Sequence, residues 1–115
     1  MIRIQADMKW LKIRAEGHAG YAETGKDIVC AGVSVLMETL LGRMLEEQQK
    51  TGDVQVTWSA GERGNMAVSV RAQPWRQSWA RNLFDLTVYG LRSLAETYPE
   101  HVKIEIRKRE KKPKA

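Results

Sequence analysis

The chain has 115 residues, of which 43% are apolar and 29% charged, the proportions of one ordinary globular domain with enough mass for a single core. No window reaches the roughly 18 uninterrupted apolar residues of a membrane span, and Met1-Ile2-Arg3-Ile4-Gln5-Ala6-Asp7 alternates in polarity where a signal peptide would be apolar. The single cysteine excludes an internal disulfide and suggests a reducing, cytoplasmic setting. The net charge of +5 is local: between Arg107 and Ala115 six Lys or Arg face one Glu, so the rest of the chain is neutral. The plain reading of that tail is a solvated terminus; the sharper one is an RNA contact by counterion release, without aromatics for base stacking.

Ile2, Ile4 and Ala6 alternate with polar residues, as a half-buried strand requires, and Asp7-Met8 suits a turn. Leu11, Ile13 and Ala15 carry a second alternating run that ends at Glu16-Gly17, which predicts a hairpin. From Asp27 to about Gln49 the period becomes helical. Val29, Val33, Leu36, Leu40 and Met44 form one stripe, which Ile28, Val35, Met37, Leu41 and Leu45 widen. So broad a stripe predicts burial on more than one side, by a sheet and a partner chain, and Gly32 and Gly42 predict close packing.

Thr51-Gly52-Asp53 closes the helix. Val54, Val56 and Trp58 make a third strand, Gly61-Glu62-Arg63-Gly64 a turn, and Met66, Val68 and Val70 a fourth strand. Pro74 opens a second helix to about Tyr98, with Trp75, Trp79, Leu83, Leu86 and Leu94 as its stripe. Val102, Ile104 and Ile106 form a last strand. The four tryptophans are expected in core and interface. The order ββαββαβ predicts an α+β two-layer single domain over residues 1–106, with two helices on a mixed or mostly antiparallel sheet, followed by a basic tail over 107–115.

Chemistry concentrates in one stretch, Gly17-His18-Ala19-Gly20-Tyr21-Ala22-Glu23-Thr24-Gly25-Lys26-Asp27-Ile28-Val29-Cys30. Asp27 is placed to cap the first helix, which puts Cys30 in its first turn. There the unpaired N–H groups and the helix dipole favour a thiolate and a developing oxyanion. His18, twelve residues earlier at a strand end, is the candidate base and acid for that thiol. Gly17, Gly20 and Gly25 are candidate hinges of an intervening lid. His101 follows Pro99-Glu100 in a polar connection and is expected to be exposed.

Two rival chemistries fit less well. Gly20 to Asp27 nearly matches a phosphate-binding loop, but Asp27 stands where a magnesium-binding hydroxyl belongs and Glu23 adds charge to the cradle. One Cys and two His fall short of a zinc site. Cys30 and His18 also admit a plain structural reading, as a small apolar core residue and a local capping residue.

Gly17-His18-Ala19, Gly25, Asp27-Ile28-Val29-Cys30-Ala31-Gly32 and Ser34, with the interval between His18 and Cys30, resemble the ribosomal-processing cysteine protease family called Prp. Outside that segment the resemblance extends to element order and length, up to about Arg107. It implies a small α+β homodimer of bacterial origin that removes the N-terminal extension of ribosomal protein twenty-seven of the large subunit. The cut falls after a pair of phenylalanines and before an alanine. It implies a dyad of His18 and Cys30, no metal or organic cofactor, and an intervening loop that substrate displaces. Ser34, one turn beyond Cys30, is expected to support the pair. The tail looks like an addition to the family core. The alternative reading is a noncatalytic ribosome- or RNA-associated dimeric module that uses the tail.

Overall fold

A computed structural model of the chain describes residues 1–23, 27–61 and 65–108. The hinge assigned to Gly25, the core of the Gly61–Gly64 turn and the tail from 109 onward lie outside the described residues. The elements are β1 (Ile2–Asp7), β2 (Lys12–Glu16), α1 (Ile28–Thr51), β3 (Val54–Ala60), β4 (Met66–Ala72), a single 3-10 turn (Pro74–Arg76), α2 (Gln77–Thr97) and β5 (Val102–Arg107). They build the expected two-layer α+β domain, with both helices packed on a five-stranded sheet of order β3-β4-β2-β1-β5.

Alternation explains the layering. Ile2, Ile4, Ala6, Ile13, Ala15, Val54, Val68, Val70 and Val102 are buried, while their strand neighbours are more exposed. The register sets Ile4 beside Ala15 and Ile104, and Ala6 beside Ile13, so one face of the sheet is continuously apolar. β5 runs parallel to β1 and every other pairing is antiparallel, which makes the sheet mixed. β2 reaches β3 through α1, and β4 reaches β5 through α2. The β1–β2 connection is tightened by Asp7, whose Oδ1 accepts from the N–H of Lys9 and Trp10.

α1 is long and apolar enough in composition to cross a membrane. It lies along the sheet instead, burying Val29, Val33, Met37, Leu40, Leu41 and Met44. Gly52 ends it in the left-handed region at φ 70°, its N–H bonding to Gln48 O. Leu36 packs at the crossing with α2: a Cβ at Gly90 would stand 3.0 Å from Leu36 Cδ2, and one at Gly32 would stand 3.2 Å from Leu94 Cδ1. Gly42, expected to allow close packing, faces open space among the described residues.

The second stripe needs correction. The buried face of α2 is Ala80, Phe84, Thr87, Val88 and Leu91, while Leu86 is 68% exposed and Trp75 70% exposed. Trp75 sits in the 3-10 turn, whose tighter winding breaks the phase assumed for one continuous α-helix. The tryptophans are also not core. Trp10, Trp58 and Trp75 are exposed, and Trp79 is half-buried at the rim beneath the guanidinium groups of Arg43 and Arg76, 4.9 and 5.3 Å from its ring centre. Those two arginines also pair with buried Glu47, at 3.1 and 3.3 Å, and Arg76 continues to Asp53 at 3.4 Å.

Candidate functional site

The site forms where the end of β2, the start of α1 and the α2–β5 connection meet. Gly17 leaves β2 at φ 94°, and a Cβ there would fall 2.4 Å from the Met1 carbonyl oxygen, so only glycine fits. Its N–H donates to Asn65 Oδ1 at 2.9 Å, which ties the strand end to the β3–β4 hairpin. Gly20 follows at φ 67°. Between these two turns Ala19 is buried and His18 is exposed.

Asp27 caps α1 as its sequence position suggests. Its Oδ1 accepts from the N–H of Val29 and of Cys30, both at 3.0 Å. Its Oδ2 accepts from the Tyr21 N–H at 3.1 Å, so the same carboxylate ties the loop to the helix. Burial alone would raise the Asp27 pKa. The donors from Cys30, Tyr21 and Ala22 outweigh it and hold the carboxyl below its ordinary value.

Cys30 is free, half-buried and in the first turn of α1. The Ala19 N–H donates to its Sγ at 3.3 Å, which brings the backbone of His18 beside the sulfur. Burial pushes the thiol above its ordinary pKa and the neighbouring Asp27 carboxylate adds to that, against the Ala19 N–H and the N-terminal amine, which pull it down. The expectation of a thiolate favoured by free helix N–H groups is therefore corrected. The N–H groups of Val29 and Cys30 are spent on Asp27, and Ala31 N–H bonds to Asp27 O at 3.1 Å. Those donors do not stand open for an oxyanion while Asp27 holds them.

His18 and Cys30 are brought into one neighbourhood, but among the described residues no hydrogen bond joins the imidazole to the sulfur or to Asp27. Ser34 lies one turn beyond Cys30 and lines a cleft of about 300 Å³ with Val33, Met37, Glu38, Ala60, Gly61, Asn65 and Met66. Apolar side chains from Val33, Met37, Ala60 and Met66 share it with three polar ones, Ser34, Glu38 and Asn65, so the cleft is mixed in character. The sequence reading named no walls, because they come from α1 and from the far β3–β4 hairpin.

His101 was expected to be exposed and is not. It is half-buried, and its Nδ1 lies 2.7 Å from Ala19 O. Tyr21 packs edge-on against His101, with ring centres 5.4 Å apart, and against Tyr98 at 5.5 Å. The start of the supposed lid is thus tied to the α2–β5 connection through Ala19 and Tyr21, although Tyr21 stays exposed. Asn65 and His101 are the residues that sequence reasoning missed, since nothing in the chain marks a polar residue as the partner of a backbone group many positions away.

The model of the cysteine protease Prp family matches residues 1–103. Among curated proteins no sequence matches the chain. Among solved structures, the ribosomal processing protease Prp from S. aureus with a covalently linked product peptide is 19% identical, with a TM-score of 0.69 over 93% of this chain and 100% of that one. The same protease with a substrate peptide gives 18% identity and a TM-score of 0.70 over the same shares. The protein SMU.848 from Streptococcus mutans is 28% identical, with a TM-score of 0.65 over 94% of this chain and 93% of that one. The scaffold that sets Cys30 at a helix start beside a strand end is shared with those structures, the family model covers β1 to α2 and reaches into β5, and on that ground the chain belongs to the cysteine protease Prp family.

Proposed function

We propose that this chain is a cysteine endopeptidase that removes the N-terminal extension from the precursor of large-subunit ribosomal protein twenty-seven. Cys30 is the nucleophile, and His18 is its general base and acid. The observation that carries this reading is the meeting of Cys30 Sγ with the residue after His18: the Ala19 N–H reaches the sulfur at 3.3 Å, at the start of α1. Membership of the family supports it, as do the substrate and product peptides held by the S. aureus protease.

In this reading the imidazole of His18 takes the thiol proton and Sγ attacks the scissile carbonyl carbon. The tetrahedral intermediate expels the new amino terminus, which His18 protonates, and leaves a thioester on Cys30. Water, deprotonated by His18, then hydrolyses the thioester. Donors for the oxyanion come from the start of α1 once the substrate displaces Asp27 from the Val29 and Cys30 N–H groups. Asp27 supports the resting site as the cap of α1, Ser34 supports the pair from one turn along the helix, and Gly17 and Gly20 let the loop move aside. In the mixed cleft beside Ser34, the apolar contacts for an aromatic side chain of the paired phenylalanines are Val33, Met37, Ala60 and Met66.

The chain acts as a homodimer in the cytoplasm of a bacterium, without metal or organic cofactor. Support for the dimer comes from large apolar side chains left exposed on both helices, Ile28 and Val35 on α1 and Leu86 and Tyr89 on α2. The tail adds at most a weak contact with ribosomal RNA. The test is incubation with a peptide spanning the Phe-Phe/Ala junction, read by mass spectrometry. Cleavage at that bond is expected from the parent, and none above background from Cys30→Ala or His18→Ala. Equal cleavage by Cys30→Ala overturns the reading.

A further inference from the structure

We propose that His101 is a positioning residue for the Cys30 sulfur: its Nδ1–H holds the Ala19 carbonyl and thereby keeps the Ala19 N–H aimed at Sγ. The chemistry of the contact assigns the proton. Ala19 O can only accept, so the 2.7 Å approach of Nδ1 requires a hydrogen on Nδ1. The two bonds belong to one residue. Ala19 gives its N–H to Cys30 at 3.3 Å and takes a hydrogen from His101 at 2.7 Å, and it is 2% exposed, so neither bond is traded readily for water.

His101 is itself held. Its N–H donates to Tyr98 O at 2.9 Å, its carbonyl accepts from the Ile2 N–H at 2.9 Å, and Tyr21 packs edge-on against its ring. The His18–Ala19 segment is flanked by two positive-φ glycines, Gly17 and Gly20, and has little stiffness of its own between them; His101 supplies an anchor from across the fold. The Ala19 N–H is also one of the few influences favouring the Cys30 thiolate, against burial and the Asp27 carboxylate and alongside the N-terminal amine. Releasing the Ala19 carbonyl therefore costs thiolate as well as alignment.

The catalytic consequence rests on Cys30 being the nucleophile, so the experiment reads two quantities. Alkylation of Cys30 by iodoacetamide is followed against pH by intact mass, and cleavage of the junction peptide gives kcat and KM. His101→Leu keeps bulk without a donor. His101→Asn keeps an amide N–H near the Nδ1 position, and His101→Gln moves it towards Nε2. His101→Leu and His101→Gln are expected to raise the alkylation midpoint by about half a pH unit, a roughly threefold loss of thiolate at neutral pH. Both are expected to lower kcat at least in proportion with KM little changed, while His101→Asn restores both readouts.

Thermal melts identify which variants are folded, and His101→Gln stands in if His101→Leu is not. A folded knock-out with the parent's midpoint, or a folded His101→Asn that behaves like His101→Leu, overturns the proposal. Cleavage surviving in Cys30→Ala would instead sink the protease reading and leave the alkylation result to judge His101.

Discussion

Asp27 and Cys30 share the first turn of α1 and work against each other. The carboxylate that satisfies the helix start also raises the cost of a thiolate beside it. Asparagine ranks with aspartate as a helix cap, and its one oxygen can keep both bonds made by Oδ1 while only the bond from Tyr21 is given up. Asp27→Asn is therefore expected to keep the fold while moving the Cys30 alkylation midpoint down, towards that of an ordinary thiol. A midpoint that stays where it is would mean that burial alone sets it. The same residue makes an acid prediction. The Asp27 pKa is depressed in the folded chain, so its contribution is complete above the ordinary carboxylate range and is lost as pH falls through the folded value. Melting temperature followed downward in pH should fall less in Asp27→Asn than in the parent. The cap itself was legible from Asp27 preceding an apolar period. Its second bond, to Tyr21, was not, because a carboxylate's second oxygen leaves no mark on local pattern.

The two helices meet through glycines, and that contact separates substitutions that look alike in sequence. Alanine in place of an exposed helical glycine gains about 1 kcal/mol. Gly42 faces open space among the described residues, so Gly42→Ala is expected to raise the thermal midpoint by a few degrees. At Gly90 the new methyl would stand 3.0 Å from Leu36 Cδ2, and overpacking of that kind costs about 1–3 kcal/mol. Gly90→Ala is expected to lose the propensity gain and fall at or below the parent in the same melt. Periodicity located both helices and every strand. It misjudged the phase of α2: the 3-10 turn at Pro74–Arg76, with about three residues per turn against about 3.6 in an α-helix, takes Trp75 off the core face, and within α2 the buried Ala80, Phe84 and Thr87 stand one position beyond Trp79, Leu83 and Leu86.

For the whole molecule, the charge asymmetry and the fold divide at the same place. The sheet ends with β5 at Arg107, and the family model ends at residue 103, while the excess positive charge begins at Arg107. Deleting residues 109–115 is expected to leave the thermal midpoint and the cleavage of a short junction peptide unchanged. Any contribution of the tail should appear only with ribosomal RNA or intact particles present, and should weaken with added salt. A large loss of peptide cleavage on deletion would show that the tail takes part in the proteolysis itself.

Much of this protein could be read along the chain, because burial along a strand or helix repeats at the period of that element. The two-layer ββαββαβ domain, the cap at Asp27 and the placement of Cys30 in a first helical turn all follow from such local repeats. Tertiary structure alone decided which donors are already spent. It set the second oxygen of Asp27 on Tyr21, Asn65 on Gly17, and His101 on the residue that touches the sulfur. A hydrogen bond between residues far apart in sequence depends on where the fold brings two backbones together, and no spacing of residue types encodes that meeting.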